Sequence, residues 1–319
     1  MRTVSPDHLD TPIHVAAGIL TDAEGRVLVQ RRPDHVHVGG LWEFPGGKRH
    51  PGESRRDALD RELEEELGVQ VNDARPLIRV RHDYPEKTVV LDVWRVSSFR
   101  GVPEPREGQP LEWVLPSQLP ALEMPPADGP IVNAVRLPEV CLVTADEPAD
   151  PGAFLERLER RLMDGIRLVQ LRVRRRVGEL ESLTRRAATL CERHGAWLVL
   201  NDDPERAVAW GAHGVHLNRE RLRASRGRPV PQDLWLSSVC HDVEELALAS
   251  KLGADFVLAS PVLPTPSHPG AATLGFEGLA ALCESAAMPV FALGGLGEEH
   301  LQLAWYAGAQ GVAGIRGFW

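Results

Sequence analysis

The residues best equipped for chemistry in this chain form one run, Gly47-x5-Glu53-x7-Arg61-Glu62-Leu63-Glu64-Glu65-Glu66-Leu67-Gly68-Val69. On a helix, Glu62, Glu65 and Glu66 stand at i, i+3 and i+4. That spacing gathers three carboxylates on one face and turns Glu64 elsewhere. Like charges crowded this way repel, and taken alone the run reads as a solvated acidic helix. Oxygen-rich anionic clusters also suit the hard cations Mg²⁺ and Mn²⁺, which bridge and neutralise phosphate oxygens. The chemistry on offer is metal-assisted attack of water on a phosphorus atom, with Arg61 holding one carboxylate by a forked hydrogen bond.

Such carboxylates need a rigid element beneath them. Ser54 to Leu67 has helical periodicity, with Ala58, Leu59, Leu63 and Leu67 on one side, and Gly68 stops it. Upstream, His14 to Leu20 is an apolar strand, Asp22 to Gly25 a turn and Arg26 to Gln30 an alternating segment, which together predict an antiparallel hairpin. A glycine and proline cluster at Phe44 to Gly47 leads into the run. Strand-like stretches at Thr88 to Arg95 and around Trp113 precede a proline-rich loop at Met124 to Pro130 and a segment ending near Leu137.

From Glu139 the rhythm changes to apolar strand followed by amphipathic helix. The strands read as Val140 to Ala145, Leu168 to Val173, Trp197 to Asn201, Gly214 to Leu217, Leu236 to Val239, Asp255 to Ser260, Pro289 to Leu293 and Gly311 to Ile315. Helical patterns such as Pro151 to Met163, Leu180 to Arg193, Asp242 to Leu252 and Glu298 to Ala307 lie between them. Eight strands in this alternation predict a (β/α)₈ TIM barrel. The boundary falls near residues 135 to 139, giving domains 1–137 and 138–319, with no long Gly/Ser linker between them.

The run of glycines, arginine and carboxylates over residues 47–69 resembles the Nudix box of the nucleoside diphosphate-X hydrolases at every defined position. Leu41-Trp42-Glu43-Phe44-Pro45-Gly46-Gly47-Lys48 resembles the segment that leads into the box in the MutT type, pyrophosphohydrolases that remove oxidised purine nucleotides. The resemblance implies an α/β/α sandwich for the first domain. It implies metal ligation by the Gly46 carbonyl, Glu62, Glu65 and Glu66, a further carboxylate matched by Glu107 with Glu112 less well matched, and catalytic parts for Glu53 and Arg61. It places Arg32, His37, Glu43, Phe44, Pro45 and Gly46 along the nucleotide. The loop Pro125-Pro126-Ala127-Asp128-Gly129-Pro130 resembles the base-reading loop, with Asp128 where an asparagine is expected. An ionised aspartate only accepts hydrogen bonds, whereas a protonated one in an apolar pocket also donates.

The second half resembles the thiamine phosphate synthase and TenI family across nearly its full length. The matching pieces are Gln170-Leu171-Arg172, Asn201-Asp202, Gly214-Val215-His216-Leu217, Ser260-Pro261-Val262, Thr265-Pro266 and Leu293-Gly294-Gly295-Leu296. The resemblance puts Gln170, Arg172, Arg174, Asn201, Asp202, Gly294 and Gly295 at the ligand end of the barrel. Several positions depart from the synthase pattern. Arg174 replaces a lysine and retains its charge, but the second metal-binding aspartate is lost within Asn218-Arg219-Glu220-Arg221, and Ser267-His268 stands where a lysine is expected after Thr265. A synthase uses magnesium to neutralise a leaving diphosphate, so these losses together predict a binder of a phosphate or thiamine-like ligand, or a degenerate scaffold, more readily than a working synthase.

The rest of the composition narrows the partners. A formal charge of −9 argues against general affinity for nucleic-acid polymers, which requires excess Lys and Arg. Cys141, Cys191, Cys240 and Cys283 are widely spaced among apolar residues, against a zinc site or disulfide framework. No signal-peptide core or membrane-length apolar run is read, so a cytoplasmic protein is expected. The reading is therefore a Mg²⁺-dependent (or Mn²⁺-dependent) hydrolase that converts 8-oxo-dGTP to 8-oxo-dGMP and pyrophosphate, in the service of DNA repair and replication fidelity. The alternatives are action on damaged thiamine diphosphate or a related metabolite, and a barrel that serves as a ligand sensor or interaction module.

Overall fold

A computed structural model describes residues 12–35, 37–146, 150–173, 177–265, 270 and 272–319. Arg174, Pro266, Ser267 and His268 lie outside the described residues. The chain divides into two units, Met1–Arg136 and Leu137–Trp319.

The first unit contains β1 (Ile13–Leu20), β2 (Val27–Arg31), β3 (Trp42–Glu43), β4 (Gly46–Lys48), α1 (Arg55–Leu67), β5 (Gln70–Tyr84), β6 (Lys87–Arg100), β7 (Leu111–Val114) and α2 (Gly129–Arg136). One sheet runs β4-β1-β6-β5 and a second runs β3-β2-β7. Alternation along β1 builds the layers. Ala16 and Leu20 pack with Ala58, Leu59, Leu63 and Leu67 of α1, while Ala17 and Ile19 pack with Ile131, Val132 and Val135 of α2. The result is the α/β/α sandwich.

The expected hairpin between the first two strands is corrected by this sheet order. β1 is parallel to β6 from Ile13↔Val89 to Leu20↔Val96 and antiparallel to β4, so both of its edges are taken. A single bridge, Thr21↔Val27, marks the turn before β2 leaves for the other sheet, where it pairs with β3 and β7. β5 carries no clear strand signal in the sequence, because its polar first half is broken by register shifts at Val71/Asp73, Asp73/Ala74 and Pro76/Ile78.

The second unit alternates β8 (Val140–Val143), α3 (Pro151–Met163), β9 (Leu168–Leu171), α4 (Val177–Arg193), β10 (Trp197–Leu200), α5 (Pro204–Ala209), β11 (Gly214–Leu217) and α6 (Arg219–Ala224). It continues through β12 (Trp235–Cys240), α7 (Val243–Lys251), β13 (Phe256–Ala259), α8 (Gly275–Ser285), β14 (Val290–Leu293), α9 (Leu301–Tyr306) and β15 (Gly311–Gly314). All eight strands are parallel, and β15 pairs with β8 to close the barrel.

Alternation along the barrel strands separates two layers of core. The interior holds Cys141, Val143, Leu168, Val199 and Leu258 together with a file of aromatic rings. Trp197, Trp235, Phe256 and Phe291 meet edge to face, with ring centroids 5.2, 6.1 and 5.6 Å apart in succession. Val257, between Phe256 and Leu258, belongs instead to the outer layer, which joins strands to helices through residues such as Leu142, Phe154, Leu158, Leu198 and Leu236. All four cysteines are free and buried. Among the described residues no helix is long and apolar enough to cross a membrane.

Candidate active site

Helix α1 is fixed at both ends. Ser54 caps its start, its Oγ accepting from the Asp57 N–H at 3.1 Å, and Gly68 ends it at φ 72° with its N–H donated to the Glu64 carbonyl at 3.0 Å. Burial of Ala58, Leu59, Leu63 and Leu67 sets the rotation of the helix. The opposite side then faces β4, and Glu62 lies so close that a Cβ on Gly47 would overlap its carboxylate.

Arg61 organises three of the carboxylates. Its Nε and Nη2 donate to the two oxygens of Glu53 at 2.8 and 3.0 Å, and its Nη1 donates to Glu62 at 2.8 Å and Glu65 at 3.0 Å. The forked bond from Arg61, with the His50 N–H at 2.9 Å, draws the Glu53 carboxyl down to about 2. Glu66 has no such cation. Its Oε2 accepts from the Gly46 N–H and from Gln30 Nε2, both at 3.0 Å. Burial pushes its carboxyl up to about 7 against those two bonds, and the charges of Glu107 and Glu62 add to the rise.

Gln30 and Gln109, given no role by motif reading, also bond to this cluster. Gln109 is buried, donates to the Glu66 carbonyl at 3.2 Å and accepts from the Glu107 N–H at 3.0 Å, so it ties the Glu107 loop to the end of α1. Gln30 is 4% exposed and also hydrogen-bonds Glu43, its partner in the β2–β3 register. A polar residue ending the buried run Val27-Leu28-Val29-Gln30 was the available signal. Glu112 lies exposed on β7.

Gln30 leads into a second cluster. Arg32 pairs with Glu43 and donates to the His37 carbonyl at 3.0 and 3.2 Å. Asp128 is 6% exposed, and burial raises its carboxyl to about 7, with Glu43 adding and Arg32 opposing. Tyr84, also missed by the motifs, is hydrogen-bonded to the Ala127 backbone and meets the His37 ring edge-on at 4.9 Å. His37 Nδ1 lies 3.3 Å from Glu86. Phe44, expected beside the base, is 3% exposed and packs in the core layer under α2, leaving Tyr84 as an aromatic side chain of this cluster. Pro45 is buried, its carbonyl accepting from the Gly18 N–H at 2.9 Å.

Among the described residues no three His, Cys, Asp or Glu side chains are drawn together as a metal cage in their present positions, since Arg61 engages Glu62 and Glu65. The donor chemistry nevertheless fits a hard divalent cation, being all oxygen and anionic. Burial raises the Glu66 carboxyl and the charges of Glu107 and Glu62 add to it, and a cation beside the carboxylate would offset both.

The barrel carries a cavity of about 650 Å³ at the carboxyl ends of its strands, lined by Gln170, Arg172, Asn201, His216, Gly294 and Gly295 among others. His216 Nδ1 is 3.0 Å from Ser237 Oγ, and burial, with the charge of Arg172, depresses its imidazole to about 3. Gln170 is buried, and its Nε2 has no hydrogen-bond partner among the described residues. Asp202 is not in the lining. Its oxygens are held by Arg221 at 3.0 Å and Arg206 at 3.2 Å.

Residues 16–134 match the model of the NUDIX domain, and residues 140–318 match the model of thiamine monophosphate synthase. Over the first stretch the chain is 32% identical across 124 residues to the 8-oxo-dGTP diphosphatase of Escherichia coli (strain K12), covering 39% of this chain and 96% of that protein. It is 36% identical across 138 residues to the CTP pyrophosphohydrolase of the same organism, covering 43% and 98%. Over the second stretch it is 34% identical across 185 residues to the thiamine-phosphate synthase of Thioalkalivibrio sulfidiphilus (strain HL-EbGR7), covering 57% and 88%.

Proposed function

The chain belongs to the Nudix family through its first unit and to the thiamine monophosphate synthase family through its second, and from that premise we propose that it hydrolyses oxidised purine nucleoside triphosphates, 8-oxo-dGTP foremost, to the monophosphate and pyrophosphate. The observation that carries this reading is Asp128. Buried beside Glu43 and Arg32, its carboxyl is raised to about 7, so near neutral pH a protonated fraction both donates and accepts, which matches a base edge that presents an acceptor beside a donor. The hydrolase activity is assigned to the first unit, ending at Arg136, and ligand binding to the barrel that begins at Leu137, one residue before the boundary expected from the sequence.

The Gly46 carbonyl, Glu62, Glu65, Glu66 and Glu107 are the residues to hold Mg²⁺ or Mn²⁺. The chemistry supplied there is neutralisation of diphosphate oxygens and activation of water. Arg61 and Glu53 keep the helix carboxylates in place through their forked bond. Gln30 links Glu66 at the phosphate end to Glu43 at the base end, so the two halves of a nucleotide are held in one frame. Arg32, His37, Glu43 and Asp128 form the base side, with Tyr84 beside them. Work on the nucleotide pool of this kind belongs in the cytoplasm and serves replication fidelity.

Full-length protein with Mg²⁺ should release pyrophosphate from 8-oxo-dGTP faster than from dGTP by about tenfold or more, the scale of one discriminating hydrogen bond. Equal rates reject the specificity. CTP and oxidised thiamine diphosphate belong in the same panel. The fusion to a thiamine-family barrel supports damaged thiamine diphosphate as the second reading, and highest turnover on it would replace the first. For the barrel we propose binding of a phosphate or thiamine-like ligand without synthase turnover.

A further inference from the structure

The barrel's family implies a divalent cation at the diphosphate of its substrate, and the residues present do not fit one. Asp202 is the aspartate available for that role, and both of its oxygens are engaged by guanidinium groups. Arg206 reaches it from α5 and Arg221 from α6, so the carboxylate is bracketed by the first turns of two helices. Its side chain is 14% exposed. Among the described residues lining the cavity, the one carboxylate is Glu299, which is largely exposed at the rim and 3.3 Å from His300. Mg²⁺ at a phosphate needs at least one or two carboxylates beside the phosphate oxygens, and Asp202, with both oxygens held by arginines, is not open to supply one.

The cavity is instead furnished for an anion. Arg172 and Arg316 line it, and Arg219 does so while bonded through Nε to the buried Glu245 at 2.5 Å. The buried Gln170 amide, whose Nε2 has no hydrogen-bond partner among the described residues, lines the same cavity. Resting on the reading of the barrel as a phosphate-ligand site, we propose that this cavity takes a phosphate monoester through guanidinium and amide groups alone, with no divalent cation. Arg206 and Arg221 already neutralise Asp202 between them, so this carboxylate offers no open position to a cation. Among the described residues, with the Arg219 charge met by Glu245, Arg172 and Arg316 match the dianion of a monoester, whereas a diphosphate brings more charge than they offset.

Thiamine monophosphate titrated calorimetrically into the full-length chain tests this. Mg²⁺ is either present throughout or replaced by EDTA, so cation binding in the first unit contributes no heat to the comparison. The expected affinities agree within about twofold in the two buffers, and Arg172→Ala weakens binding by roughly tenfold or more in both, the loss of a charge-assisted hydrogen bond. Binding that tightens about tenfold in Mg²⁺ and is abolished by Arg172→Ala overturns the metal-free pocket while sparing the phosphate-site reading. No heat at millimolar probe overturns both.

Discussion

Glu62 and Glu66 share a helix face but not an environment. Glu62 lies under the Arg61 guanidinium, and Glu66 is held by amides alone. Replacing Glu62 with glutamine keeps the shape and removes the charge, so Glu62→Gln should retain the fold by circular dichroism while turnover falls roughly 10²-fold. Unchanged turnover removes Glu62 from the metal set. Asp128 offers a test in pH. Its carboxyl sits at about 7 in the fold, against about 3.9 for an unfolded aspartate. Between those values the folded state keeps a proton that the unfolded chain has released. The stability tied to this group is whole below about pH 4 and is lost as pH rises through about 7. Asp128→Asn never ionises, so its Tm should exceed the parent's by roughly a few degrees above about pH 7, with the gap closing towards about pH 4. A gap constant with pH would show that Asp128 stays ionised in the fold. The helix carboxylates were legible because one local spacing aligns them. Gln30, Gln109 and Tyr84 were not, because their roles depend on which strands become neighbours.

At the scale of elements, β4 lies against both β1 and α1 because it begins with two glycines, and the two positions should respond differently to substitution. Gly46 has φ 144°, and a Cβ there would overlap the Ala16 carbonyl, so Gly46→Ala must move backbone. It should cost roughly 2–4 kcal/mol in urea unfolding. A Cβ on Gly47 would meet the Glu62 carboxylate, the mobile end of a side chain. Gly47→Ala should therefore leave stability nearly intact and lower turnover by up to about 10²-fold through a misplaced carboxylate. Equal losses of stability in both variants would contradict this division. The same contrast of local and distant constraint explains what could be read. The periodicity of α1 and the strand–helix rhythm of the barrel are local signals. The partners of β1 are not, since β4 and β6 reach it from later in the chain and displace the hairpin that the Asp22–Gly25 turn suggested.

At the scale of the whole molecule, each unit encloses its own core. The clustered buried residues of the first lie between Ala16 and Val135, and those of the second between Leu137 and Phe318. The change of rhythm in the sequence places the end of the first domain at residue 137. Leu137 packs inside the barrel, and its carbonyl accepts from Gln310 Nε2 at 2.9 Å, so the structural division falls one residue earlier. The change of rhythm could separate the halves but could not say what the barrel binds, because one fold serves many functions and the site decides. A chain of either unit's length can bury a core unaided. A fragment ending at Arg136 should therefore unfold cooperatively and keep kcat/KM on its preferred nucleotide within about twofold of the full chain. A fragment beginning at Leu137 should melt cooperatively by circular dichroism. Cutting after Leu137 instead would strip the barrel of a buried side chain and leave the Gln310 amide without that carbonyl, and should lower the barrel's Tm. Loss of nucleotide turnover in the first fragment, despite cooperative unfolding, would mean that the barrel takes part in hydrolysis.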